Sequence, residues 1–111
     1  MPPRTDALQG TLTLLILKTL DAGPRHGYAI AQHIQTTSHG LLRVEEGSLY
    51  PALRRLEQGE WVRSTWSVTE SQRKARVYAL TPAGRRQLDE EEAKWQKLLQ
   101  GVRHVLRFAE E

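Results

Sequence analysis

The sequence predicts a mainly α-helical fold with a small β-hairpin. Two observations lead there: apolar residues recur at three- and four-residue steps through the first half, and the pattern switches to aromatic and β-branched residues over 61–80. A third is the return of helical spacing after residue 81, now in seven-residue steps. A chain of 111 residues suffices for one modest core.

The first helix opens at Asp6, where Asp6 followed by Gln9 fits a capping box. Leu8, Leu12, Leu15, Ile16 and Leu20 form its stripe, and Leu14 and Leu17 widen it, so more than one side is expected to be buried. Gly23 and Pro24 stop it. A second helix is expected over 26–38, with Tyr28, Ile30, Ala31 and Ile34 on its apolar face. Tyr28 is expected to pack against the third helix, and His26 to fix the entry to the second. Residues 41–44 make a short extended connection or a brief strand.

The third helix begins between Glu46 and Ser48 and ends at residues 58–60. Pro51 suits only its first turn, where amides lack partners anyway. Leu49, Leu53 and Leu56 give one apolar stripe, leaving Ser48, Tyr50, Arg54 and Arg55 for other faces. Arg54 and Arg55 point about 100° apart, so one is expected at a ligand and the other on Glu57 or in solvent. Ser48 is equally suited to capping the helix or contacting an anion.

Residues 61–68 read as a strand, 69–73 as a polar tip and 74–80 as the returning strand. Thr81 is a natural N-cap, and Pro82 sits at the first helical position. The helix it opens should reach Ala109. Leu88, Trp95, Val102 and Ala109 are spaced by seven, with Leu98 and Val105, and Leu99 and Leu106, on parallel steps. That is a coiled-coil-like seam, interrupted by Gly101. Such a face cannot be buried by one helix alone. It needs a second copy, the first helix, or both.

Charge is unevenly distributed. Residues 54–86 hold eight Lys or Arg against three acids, whereas 87–111 hold four against six. Only the middle of the chain is suited to a polyanion. The sequence has no cysteine, which excludes disulfides and thiolate metal sites. His26, His33, His39 and His104 have no ligand spacing, so neither metal nor cofactor is expected. No nucleophile–base pair or phosphate-cradling glycine loop supports an enzyme, and 89–92 is a solvated acidic run. The N-terminus lacks a signal-peptide core and the longest apolar run cannot span a bilayer, so a cytoplasmic protein is expected.

This order of elements is that of a winged helix-turn-helix over 6–80 with a dimerisation helix over 81–111. In such folds the third helix enters the major groove and the wing reaches backbone or minor groove. At this point the sequence resembles the PadR-type transcriptional regulators. The resemblance rests on His26-Gly27-Tyr28 after Leu12–Leu20, on Gly47-Ser48-Leu49-Tyr50-Pro51-Ala52-Leu53 with Leu56-Glu57, and on Trp66. Arg76-Val77-Tyr78-Ala79-Leu80-Thr81 with Gly84, and Trp95 with Val105-Leu106, complete it. It covers about residues 10–106 and is closest to the compact subgroup with a single C-terminal helix. Val77 stands where the family often has a second aromatic. Glu45 and Glu46 stand where small cap-forming residues are common, and are expected to face away from phosphate.

The resemblance implies a dimeric DNA-binding regulator, most often a repressor, on a palindromic operator. Ser48, Tyr50, Arg54, Arg55, Arg73, Lys74 and Arg76 are the candidate DNA contacts. Leu88, Trp95, Leu99, Val102 and Leu106 are the candidate dimer contacts, with the first helix beside them. Arg85 and Arg86 are expected at the surface. The resemblance also implies that paired tryptophans at Trp95 can hold a planar aromatic effector, although an aromatic at a seam is more usually core. The competing class is a winged-helix protein–protein module, whose sign would be basic residues consumed in intramolecular pairs.

Overall fold

Ile16, Leu17, Ile30, Leu49 and Leu53 are fully buried, and the helices that carry them close around one another. The computed structural model describes the backbone of residues 6–108 and the side chains of residues 10–108. In chain order the elements are α1 (Asp6–Asp21), β1 (Arg25–His26), α2 (Gly27–Thr37), α3 (Glu46–Gln58), β2 (Val62–Val68), β3 (Lys74–Leu80) and α4 (Pro82–Arg107). This is the mainly helical winged-helix order that the periodicity predicts. The expected capping box at Asp6 and Gln9, and Leu8, fall outside the described side chains. Ala109, the last seam position, falls outside the described residues.

Three points differ from expectation. The sheet has a third strand, in the order β1-β3-β2. Arg25 pairs with Tyr78 and His26 with Val77, both antiparallel. His26 is extended and paired in the sheet, so α2 begins at Gly27 and not at His26; two residues are too few to show a strand's alternation. Residues 41–44 are the connection and not the strand, of the two readings open for them. With α3 opening at Glu46, Pro51 falls beyond the first turn and leaves the Gly47 carbonyl without its amide donor. Both residues are exposed, so water can serve that carbonyl.

The end of α3 is a Schellman turn: Trp61 N–H donates to Leu56 O (3.0 Å) and Glu60 N–H to Glu57 O (3.0 Å). The left-handed position falls on Glu60 (φ 62°), one residue after the glycine that the sequence offers for it. Thr81 then caps α4. Its Oγ1 accepts from the Gly84 amide at 3.0 Å and donates to Glu60 O at 2.7 Å. Its own amide donates to Trp61 O (3.1 Å). One threonine therefore ties the end of α3 to the start of α4.

The first turns of α4 belong to the main core. Leu88 is 4% exposed and packs in the same cluster as Ile16, Leu53 and Tyr78. Its expected place in a dimer seam is therefore corrected: the chain's own core already covers it. Farther along, α4 lies antiparallel to α1, with Arg85 on Asp21 (3.0 Å) and Lys18 near Glu92 (3.9 Å). Arg85 is exposed as expected, but is not free. Leu98, Val102, Val105, Leu106 and Phe108 remain exposed. The helix runs through Gly101 without a break. Among the described residues no helix is long and apolar enough to cross a membrane.

Candidate nucleic-acid interface

The alternation of α3 divides it cleanly. Leu49, Ala52, Leu53 and Leu56 are buried, while Ser48, Tyr50, Arg54 and Arg55 are exposed. Ser48 is not the cap. Glu45 holds that position, and its carbonyl accepts from the amides of Ser48 (3.0 Å) and Leu49 (2.9 Å). The Ser48 hydroxyl is thus left on the open side of the first turn. Glu45 and Glu46 are exposed beside it.

Tyr50 is both packed and open. It is 40% exposed, yet its ring lies directly on Gly27: a Cβ there would come within 2.8 Å of Tyr50 Cε1. The glycine at the start of α2 lets the hydroxyl end of the ring approach that helix closely, which fixes where the hydroxyl sits. Tyr28, expected against α3, is instead 58% exposed and stacked on His26 with ring centroids 6.2 Å apart.

Arg54 and Arg55 part company as their 100° offset requires. Arg54 lines a cleft of about 320 Å³ with Tyr50, Glu57, Gln58, Arg76 and Tyr78, between α3 and the wing. Arg55 lines a more apolar cleft on the other side of α3, with Leu12 and Leu15 of α1 and Ser48. Neither arginine forms an ion pair among the described residues. Glu57, the partner expected for one of them, is engaged by the wing.

The wing is a regular hairpin in which Ser64 faces Tyr78, Trp66 faces Arg76 and Val68 faces Lys74. Its tip is an ordered turn. Thr69 N–H donates to Arg73 O (2.8 Å) and Gln72 N–H to Thr69 O (2.9 Å), with Gln72 left-handed. Arg73 and Lys74 are exposed there with no ion pair among the described residues. Arg76, expected as a third free wing cation, is held. Its Nη1 donates to Ser64 Oγ (2.7 Å) and lies 3.8 Å from Glu57 Oε2, and its guanidinium sits 4.8 Å over the Trp66 ring. Tyr78 beneath is 5% exposed. Burial first, and then the Glu57 carboxylate, push its hydroxyl above the usual phenol range, with Arg76 opposing.

Sequence reasoning missed Glu57, Ser64 and Trp66 as members of this site. Glu57 and Ser64 are seven residues apart on different elements, and no local spacing reveals that they meet. The signal for Trp66 was present: an aromatic opposite an arginine, once the hairpin register is known.

The arrangement presents hydroxyls and guanidiniums on a helix edge, with a cationic hairpin tip beside it. Comparison with known proteins gives the family. The pattern of the transcriptional regulator PadR-like family matches residues 16–90, from within α1 to the early turns of α4. The fold is similar to that of a PadR family transcriptional regulator from Eggerthella lenta, at 37% identity and TM-score 0.74, covering 89% of this chain and 85% of that one. It is also similar to a transcriptional regulator from Clostridium thermocellum (25% identity, TM-score 0.80, covering 89% and 96%). A third similar structure is a PadR-like transcriptional regulator from Bacillus cereus (25% identity, TM-score 0.74, covering 93% and 98%). The chain, a winged helix with a long C-terminal helix, belongs to the PadR-like family of transcriptional regulators.

Proposed function

We propose that two copies of this chain bind a palindromic DNA operator as a cytoplasmic repressor. Each copy offers α3 to the major groove and its wing to the flanking backbone. The observation that carries this reading is the open edge that Tyr50 and Arg54 form beside the wing, with the exposed cations Arg73 and Lys74 at the tip of that wing and Ser48 exposed farther round α3. A long polyanion is the ligand that suits hydroxyls and guanidiniums spread over two elements. A protein–protein module would instead consume these cations internally. Arg76 and Arg85 are so consumed, but Arg54, Arg55, Arg73 and Lys74 have no ion-pair partner among the described residues. Arg55 stands farther from the wing, so Arg54 is the stronger candidate for the groove.

The apolar residues of α4 outside the core, half-buried Trp95 and Leu99 and exposed Val102 and Leu106, support pairing between two copies, with α1 alongside. Pairing by a two-fold axis would present two α3 helices to a palindrome. The half-buried Trp95 is the candidate platform for a planar aromatic effector that releases DNA.

A mobility-shift titration with random duplex DNA at low salt tests the first step. Binding is expected, and its absence would remove the nucleic-acid reading. Tyr50→Ala should weaken a selected operator by about tenfold or more. Arg73→Ala should weaken all sequences alike and flatten the salt dependence by about 0.9 per lost phosphate contact. For the effector, a variant with Trp95 as sole tryptophan (W61F/W66F) should be quenched by planar aromatic compounds that also lower DNA affinity. If a broad panel does neither, Trp95 is packing alone.

A further inference from the structure

The base of the wing is held by β1 on β3 and by the burial of Val62 and Tyr78, but beyond Val77 it is a two-stranded ribbon, which has little stiffness of its own. One cluster braces it. Ser64 Oγ donates to Glu57 Oε2 at 3.1 Å and accepts from Arg76 Nη1 at 2.7 Å. The Arg76 guanidinium reaches toward the same carboxylate oxygen (3.8 Å) and lies over Trp66. Glu57 is on α3, Ser64 and Trp66 on β2, and Arg76 on β3. All three elements that meet DNA in the proposed reading are thus joined at one carboxylate.

We propose that Glu57, Ser64 and Arg76 form a latch that fixes the angle of the wing against α3, making Arg76 a positioning residue and not a phosphate contact. Two physical points support this. An acid on the open side of a DNA-reading helix repels phosphate, and a pairing cation from the wing neutralises it where it stands. A guanidinium that is hydrogen-bonded, ion-paired and stacked on a ring must also give up these contacts before it can turn to a phosphate. Trp66 is 63% exposed and has room for the cation on its face. The exposed wing cations Arg73 and Lys74, without an ion pair among the described residues, lie beyond the latch at the tip. The latch itself stands on the geometry of the free protein. Its consequence for sequence discrimination rests on the DNA-binding reading above.

The test uses full-length protein and the variants E57Q, R76Q, E57Q/R76Q and S64A, each checked for native secondary structure. S64A is the smallest change and keeps both charges. In the free protein the Trp66 indole N–H resonance should move in R76Q, and also in E57Q, because the carboxylate holds the cation in place. An indole that ignores E57Q overturns the latch. With DNA, a duplex selected by the wild-type protein from genomic fragments should bind about tenfold more weakly to E57Q and to R76Q, and no more weakly to the double variant. Random duplex should bind all variants with the wild-type salt slope. A slope reduced by about 0.9 in R76Q would make Arg76 a phosphate contact and overturn the assignment. Fully additive losses would overturn it as well. If the wild-type protein binds neither duplex, the DNA reading is what fails, and the indole measurement still decides the latch.

Discussion

A methyl group added at Gly27 would meet the Tyr50 ring, whereas one added at Gly84 would meet the carbonyl of Trp61. The first obstacle is a side chain with one face in solvent. The second is backbone at the joint between α3, the sheet and α4. Gly84→Ala should therefore lower unfolding stability by about 2 kcal/mol, as overpacking does, measurable by urea denaturation. Gly27→Ala should cost less stability but push the Tyr50 hydroxyl off its line, weakening DNA binding without altering the salt slope. Glu60 makes the opposite case. It occupies a left-handed position that glycine prefers, so Glu60→Gly should add about 1 kcal/mol to stability. The sequence shows a glycine near the end of α3, but not that the turn places the left-handed residue one position later. Tyr78 gives a pH signature. Its hydroxyl is held above the usual phenol value, so the folded state disfavours the phenolate. That contribution is intact below about pH 10 and is lost as pH rises through the folded pKa. E57Q, which removes a carboxylate that opposes the phenolate, should shrink that loss.

The elements were legible in proportion to their length. The leucine stripe of α3 repeats often enough to mark its face, and that face is buried, while the seven-residue steps of α4 run through one unbroken helix. β1 repeats nothing, and is a strand only because β3 has a free edge for it. Leu88 shows a different limit. Its spacing from Trp95 and Val102 is that of a seam, yet the early turns of α4 are covered by α1 and the sheet. Periodicity names the face of a helix, not the body that will cover it. A charge in the uncovered stretch should separate the two. Leu106→Glu changes a residue already exposed in the single chain, so folding should be unaffected. Self-association should weaken by about a hundredfold, as burying a lone carboxylate predicts, and sedimentation velocity would show it.

Taken as a whole, the molecule is elongated, with extents of 60 × 32 × 29 Å, and its long dimension accommodates α4. The joint at Thr81 couples the two ends. The same hydroxyl that starts α4 holds the carbonyl of Glu60, just past the end of α3. Were that joint loose, the proposed pairing of two copies would set no fixed distance between their α3 helices. Because it is tight, in the proposed dimer α4 would act as the arm of a pair of calipers, and the way two arms cross would set the gap between the tips. Inserting one base pair between half-sites moves the second target by about 3.4 Å and turns it by about 34°. A pair of rigid arms has no means of following that turn, so binding to a selected operator should fall sharply with a single inserted base pair. It should partly recover only when a full helical turn is added, if the arms can reach so far. Anything that alters the crossing of the two arms, such as a small molecule wedged at Trp95, would be read by the DNA as a change of spacing.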